Sequence, residues 1–155
     1  MMIKLEIFTK IALSCVFLVA IGAASQLSAR TILDKYHPSD VEIVVGDLGG
    51  SEVEISTDSY GDPQVDAKYN DLIFTVLFYN CDGEYCERIQ YRASFETDRA
   101  SALKAAIKQN AELLFGKAYM DSEGDAGVEL PLSAEGGVTM DHLYAQTELW
   151  LEIMT

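Results

Sequence analysis

The sequence predicts an α+β protein, in which an antiparallel β-sheet is flanked by helices. Three segments have helical periodicity, and between them lie short runs rich in β-branched and aromatic residues. Connections of hairpin length separate these runs, and such connections join antiparallel rather than parallel strands. A length of 155 residues suits a single domain of this kind.

The N-terminal segment, residues 1–24, has the order of a secretory signal peptide. Lys4 and Lys10 accompany the start of an apolar run over residues 11–24, which ends in small residues. The run is short for a membrane span, which needs about 20 apolar residues, so an uncleaved anchor is the less favoured alternative. We therefore expect a periplasmic or secreted protein of a Gram-negative bacterium, with no membrane attachment once the signal is removed.

Residues 25–38 have the composition of a polar link, which places the domain at residues 39–155. The first helix is predicted to begin with Ser39 as its N-cap, because Glu42 three residues later completes a capping box. Gly49-Gly50 is expected to end this helix.

Four strands are predicted to follow. Residues 52–57 alternate between apolar and polar types, as in a half-buried strand, and a short strand is expected at residues 64–67. Residues 72–79 are apolar on both faces, which indicates a central strand buried on both sides. Residues 88–95 alternate again, with one apolar side.

The C-terminal part is predicted to contain two more helices and two more strands. The helix over residues 98–115 aligns four apolar residues along one side, as a core-packing helix does: Leu103, Ile107, Ala111 and Leu114. Short strands are expected at residues 117–120 and 128–132, and Pro131 should keep the second at a sheet edge. Thr139 is the predicted N-cap of a final helix with one continuous apolar face.

Cys81 and Cys86 lie on either side of a turn that contains an Asp-Gly pair. Two cysteines in an exported chain indicate a disulfide, and here it would join the ends of two neighbouring strands. A zinc site usually has a second pair of ligands, and a redox centre usually has two residues between its cysteines. We therefore predict a structural disulfide.

The net charge of −14 disfavours nucleic acid and anionic membrane surfaces as partners. Residues 121–129 resemble a calcium loop, but Ala126 stands where such a loop requires glycine. We therefore interpret Asp121 and Asp125 as parts of a polar turn, with weak divalent-cation binding as an alternative. Asp58 and Asp62 fit an Asx turn in the same way.

The sequence contains no recognisable catalytic motif, and its only histidines are His37 and His142. A hydrolase that uses paired carboxylates is the alternative function, since 25 acidic residues could supply such a pair. We assign no catalytic residue, metal ligand or cofactor. The candidate binding-surface residues are Asp58, Asp62, Tyr79, Tyr119, Asp121 and Asp125.

Four blocks taken together resemble the small secreted members of the YbjN-domain family: TDSYGDP, FTVLFYNCDGEYCERIQYRASF, FGKAYMDSEGD and EGGVT. Relatives often carry a tryptophan beside an asparagine in the helix before Phe115, whereas Asn110 has no such neighbour here. The resemblance implies a fold similar to type III secretion chaperones, a role in sensory regulation and no catalytic activity. We therefore expect a non-enzymatic, chaperone-like binding module for an unknown protein or peptide, with a homodimer as a further candidate.

Overall fold

The computed structural model describes residues 31–112 and 114–155. The predicted signal peptide, residues 1–24, lies outside this part of the chain, as do residues 25–30 of the predicted link. The helices and strands, in chain order, are β1 (Ile32–Leu33), α1 (Pro38–Asp47), β2 (Ser51–Thr57), β3 (Pro63–Tyr69), β4 (Leu72–Asp82), β5 (Tyr85–Phe95), α2 (Arg99–Glu112), β6 (Lys117–Met120), β7 (Ala126–Ser133), β8 (Val138–Thr139) and α3 (Met140–Met154).

Six of the strands form one antiparallel sheet in the order β2-β3-β4-β5-β7-β6, and the short strands β1 and β8 pair separately. Strands β2 to β5 follow one another as hairpins, whereas β7 lies between β5 and β6. The predicted α+β class, with helices packed on an antiparallel sheet, is therefore confirmed. The edge strand β2 lies where the first strand was predicted, but it is not half-buried: none of its residues is buried, and Ile55 is 39% exposed.

The core lies between one face of this sheet and helices α1 and α3. At its centre the ring of Trp150 on α3 is 6.0 Å from that of Phe74 and 5.7 Å from that of Tyr91. Tilted aromatic pairs at such distances are favourable beyond the apolar area that they bury. The apolar face predicted for the last helix is confirmed, and Thr139 caps it by accepting a hydrogen bond from the His142 N–H at 3.2 Å.

A buried chain of hydrogen bonds fixes α3 on the sheet. The Thr147 hydroxyl donates to the Leu143 carbonyl at 2.8 Å, so it accepts from the Tyr91 hydroxyl at 2.6 Å. Both hydroxyl groups are thereby satisfied in the core, where an unpaired polar group would be costly. Burial also raises the pKa of Tyr91.

The first helix begins one residue earlier than predicted. Pro38 is its first residue and His37 its N-cap, whose Nδ1 accepts a hydrogen bond from the Ser39 N–H at 3.2 Å. The prediction of Ser39 as N-cap is therefore wrong, because proline has a φ suited to the first helical position and lacks the N–H that would be unpaired there. The helix ends at Asp47, shortly before Gly49-Gly50 as predicted.

The described part of the predicted polar link packs against the domain. Strand β1 pairs with β8, and Tyr36 is fully buried. Tyr36 also exchanges two backbone hydrogen bonds with Cys86, at 2.8 and 2.9 Å. Burial raises the pKa of Tyr36 to about 12. From residue 31 onward, this segment is therefore a structured part of the fold.

Strand β4 is central, as predicted, but only one of its faces is buried. Phe74, Val76 and Phe78 are at most 1% exposed, whereas Ile73 is 63% and Tyr79 is 39% exposed. The prediction of burial on both faces is wrong because the helices of the described chain cover one side of the sheet. The apolar side predicted for the next strand does face the core, in β5.

Strand β7 is not at the edge of the sheet, contrary to the prediction from Pro131. It pairs with β5 on one side and with β6 on the other. However, β6 pairs only with residues 126–129, so Pro131 lies beyond the end of β6. The missing N–H of proline is tolerated there because β6, the neighbour on that side of β7, does not extend to Pro131.

The predicted disulfide between Cys81 and Cys86 is confirmed, with their Cα atoms 4.0 Å apart. The two residues are directly opposite each other in the β4–β5 hairpin, which turns through Gly83 and Glu84. Gly83 has a φ of 63°, which a two-residue hairpin turn requires at its first position.

Replacing both cysteines with serine is expected to lower the free energy of unfolding by only about 2 kcal/mol. The loss is small because a disulfide that closes a short loop removes little entropy from the unfolded chain. Urea denaturation of oxidised wild type and of the Cys81→Ser/Cys86→Ser variant measures this difference. A variant that failed to fold would contradict the prediction, as would two free thiols in exported protein by mass spectrometry.

Candidate binding surface

Helix α2 is held against β6 by small residues. Ala102 and Ala106 are its buried residues, one turn apart, and they let the helix approach the sheet closely. Asp98 stabilises its first turn, since its Oδ1 accepts hydrogen bonds from the N–H groups of Ala100 at 3.1 Å and Ser101 at 3.0 Å. Bonding to Ser101 lowers the pKa of Asp98.

The side chain of Asn110 closes part of the free edge of β6. Its amide nitrogen donates to the Ala118 carbonyl at 2.8 Å, and its carbonyl oxygen accepts from the Ala118 N–H at 2.8 Å. An edge strand otherwise presents such groups to any strand that can pair with them. Asn110 therefore takes the place of a neighbouring strand at Ala118.

Four large apolar side chains beside this contact are exposed to solvent. The exposed fractions are 51% for Leu103, 66% for Ile107, 85% for Leu114 and 53% for Phe115. We call these four residues the α2 row. The prediction that the apolar side of this helix packs on the core is wrong for all four of its residues, which are exposed: Leu103, Ile107, Ala111 and Leu114. The helix instead contacts the sheet through Ala102 and Ala106, about 100° further round from Leu103 and Ile107, and it ends at Glu112.

Lysines flank the α2 row. Lys104 and Lys108 lie one turn apart, between the side of the helix that carries Leu103 and Ile107 and the side that lines a groove, and Lys108 also lines that groove. Within the described residues neither forms an ion pair. The row is thus an apolar stripe with a basic border.

The opposite flank of α2 lines a groove against the C-terminal end of α3. This groove has a volume of about 560 Å³, and its lining includes Ala105, Ala106, Val128 and Met154. Ala105 is two positions from both Leu103 and Ile107, and residues two positions apart on a helix lie on nearly opposite sides. The groove and the α2 row are therefore separate surfaces on the two flanks of one helix.

The face of the sheet away from α1 and α3 is largely polar, with some apolar side chains. Ile73 and Tyr79 stand on it in β4, and the Tyr79 hydroxyl donates to Gln90 Oε1 at 2.8 Å. Partial burial raises the pKa of Tyr79, and the nearby Arg92 opposes that shift. We call this surface the open face.

Tyr119 lies on the open face, over Gly127 of the neighbouring strand. A Cβ atom at position 127 would be 2.4 Å from the Tyr119 ring, so only glycine leaves room for it. The charged groups of Arg92 and Lys117 lie 5.6 and 5.5 Å from the ring centroid. Cation–π attraction to these two groups therefore helps to hold the ring in place. Lys117 also pairs with Glu129 at 2.8 Å.

Two aspartate loops have the hydrogen bonds of Asx turns. Asp58 Oδ1 accepts from the N–H groups of Tyr60 and Asp62, at 2.8 and 3.0 Å. Asp121 Oδ1 accepts from three N–H groups at 2.9 Å, the last of them that of Asp125. These contacts shape the turns without a ligand.

The six residues predicted for a binding surface are not gathered into one site. The loop of Asp58 and Asp62 follows β2 at one edge of the sheet, and the loop of Asp121 and Asp125 follows β6 at the other. Tyr79 and Tyr119 share the open face. The exposure of the α2 row was not predicted from the sequence. The available signal was the pair of small residues at positions 102 and 106, which allows that side of the helix to approach the sheet.

No group of three or more metal-ligating side chains occurs within residues 31–112 and 114–155. The carboxyl groups with shifted pKa values in this part of the chain, Asp98 and Asp121, both have lowered values. A general acid needs a raised pKa instead. The described helices include none that is long and apolar enough to cross a membrane.

Asp121 is expected to titrate below its usual pKa of 3.8, because the Asp125 N–H, and then those of Gly124 and Glu123, stabilise its charged form. The stability that this carboxylate contributes is present above its unfolded-state pKa and is lost as the pH falls through the lower folded-state value. An NMR titration of the side chain measures this. Calcium should leave the titration unchanged, and micromolar calcium affinity that Asp121→Ala removes would contradict the polar-turn interpretation.

Asn110→Ala should destabilise the protein by about 1–2 kcal/mol, because two backbone groups of Ala118 lose their partner and only water can replace it. The newly exposed edge should also increase self-association. Urea denaturation and size-exclusion chromatography at several concentrations measure the two effects. Asn110→Asp retains only the acceptor and should weaken the edge contact as well, while Gln109→Ala is the control. Equal stability of the Asn110→Ala and Gln109→Ala variants would contradict the assigned role.

Comparison with known families gives one match over most of this chain. The model of the YbjN family, described as "Putative bacterial sensory transduction regulator", matches residues 38–155. Comparison with curated proteins gives no significant match. Among solved structures, the chain is similar to "YbjN, a putative transcription regulator from E. coli", with a TM-score of 0.57, 18% identity and coverage of 80% of this chain and 89% of that one. At that identity the structural likeness concerns the fold, while the family match covers α1 to α3, and the chain therefore belongs to the YbjN family.

Proposed function

We propose that this protein is a non-enzymatic binding module that holds a protein or peptide partner on the α2 row. The observation that carries the proposal is the exposure of four large apolar side chains between residues 103 and 115, two on α2 and two just after its end. Single exposed apolar residues are normal on a protein surface, whereas a contiguous group marks an interaction site. Membership of a family described as regulatory supports a binding role over a catalytic one.

We also propose that the protein works in the periplasm or outside the cell. Support comes from the signal-like order of residues 1–24 and from the disulfide between Cys81 and Cys86. Disulfides form and persist in oxidising compartments, and they are rare in the cytosol. The expected partner is therefore another exported protein or a peptide in that compartment.

The alternative, a hydrolase with paired carboxylates, calls for a general acid whose pKa is raised by burial or by a like charge. The lowered pKa values of Asp98 and Asp121 do not favour that role. Both carboxyl groups accept backbone hydrogen bonds at the start of a helix or within a turn, which accounts for their presence structurally.

The experiment is affinity capture from periplasmic extract with chemical cross-linking, using wild type and two matched variants. Ile107→Ser changes the α2 row, and Ile73→Ser changes the open face at a residue of similar exposure, 66% against 63%. We expect Ile107→Ser to weaken capture of the partner about tenfold, since a central apolar contact commonly contributes more than 1 kcal/mol to binding. Ile73→Ser should leave capture unchanged.

Circular dichroism and thermal denaturation of the three proteins control for folding, and exposed serine substitutions should alter neither. If Ile73→Ser abolished capture and Ile107→Ser did not, the open face would be the binding surface. Turnover of a hydrolase substrate, lost on replacing a pair of carboxylates, would support the enzyme alternative instead.

A further inference from the structure

We propose that the partner segment bound by the α2 row is an acidic amphipathic helix, with apolar side chains bordered by carboxylates. This inference rests on the proposed function and specifies the chemistry of the partner. It follows from the charges around the row and from the hydrogen bonds that already occupy the neighbouring sheet edge.

The first argument is charge complementarity. The chain has a net charge of −14, and the sequences of α1 and α3 contain no lysine or arginine. Helix α2 carries three basic residues, Arg99, Lys104 and Lys108, and one acidic residue, Glu112. The two lysines border the α2 row and have no carboxylate partner within the described residues. Carboxylates on a bound segment would supply the missing partners.

The second argument concerns the backbone of the partner. A peptide can bind at a sheet edge by adding a strand, or it can bind through the side chains of a helix. Asn110 already occupies the outward N–H and carbonyl of Ala118 in the middle of β6. Strand addition next to the row would have to break these two hydrogen bonds. The α2 row offers side chains only, which suits the apolar face of a helix.

The same charges disfavour two other occupants. In a symmetric dimer through this row, Lys104 and Lys108 of both copies would meet, and each copy would also bring its net charge of −14. An anionic membrane would attract the lysines but repel the remainder of the protein. An acidic helical segment satisfies the apolar row and the lysines together.

The test uses two synthetic amphipathic helical peptides of about five turns with identical leucine faces, one bordered by glutamate and the other by lysine. Fluorescence anisotropy measures their binding to the full exported chain at low salt. We expect wild type to bind the glutamate peptide about tenfold more tightly than the lysine peptide, with the difference shrinking at high salt. Lys104→Glu/Lys108→Glu should reverse this preference.

The matched control for charge is Lys68→Glu/Arg88→Glu, which makes the same charge change on the open face and should retain the wild-type preference. Ile107→Ser should weaken binding of both peptides, and Ile73→Ser should weaken neither. A loss of stability could lower all affinities, but it could not reverse the preference between two peptides. The reversal is therefore the decisive observation.

Three results would overturn the inference. Equal binding of both peptides by wild type would remove the acidic requirement, yet the proposed function would stand if capture still depended on Ile107. A wild-type dimer in sedimentation equilibrium that Ile107→Ser dissociates would identify a second copy as the occupant. Binding to phosphatidylglycerol vesicles that depends on Lys104 and Lys108, without binding of the glutamate peptide, would identify a membrane surface.

Discussion

The hydrogen bond between Tyr91 and Thr147 joins the centre of the sheet to the last helix, inside the aromatic cluster around Trp150. Both buried hydroxyl groups keep their hydrogen bonds only when Thr147 faces Tyr91. This requirement favours one rotation and one position of α3 on β5. With α3 fixed, α1 packs beside it, and the two helices cover a single face of the sheet. The other face and helix α2 remain outside this core.

Helix α2 is attached by a different kind of contact, and this difference leaves its large apolar side chains exposed. Alanines at positions 102 and 106 and the amide of Asn110 bring the helix against β6 without using its large apolar residues. Leu103 and Ile107 therefore lie outside the core and remain exposed. Large side chains that are not packed in the core are available to contact a partner. Leu103 and Ile107 lie beside two lysines in an otherwise acidic protein.

The order of helices and strands could be predicted from the sequence because each segment has its own periodicity and turn residues. The face of α2 that meets the sheet could not, because periodicity identifies an apolar side without showing what covers it. The same limit applies to strand β4. The apolar run that contains Ile73 predicts burial on both faces, but Ile73 lies on a face that no helix of the described chain covers. The hydrogen bond of Tyr91 joins residues 56 positions apart in the chain, and those of Asn110 join a helix to the strand that follows it, so periodicity within one segment predicts neither.

The position of β7 has a consequence for the timing of folding. The hairpins from β2 to β5 join neighbours in the chain and can form early, including the turn that carries the disulfide. Strand β7 must later insert beside β5, and β1 pairs with β8 more than a hundred residues away. Until the last forty or so residues are present, the edge of β5 and the apolar side of β4 stay uncovered. A chain synthesised from its N-terminus would therefore depend on protection from aggregation until its final helix is complete.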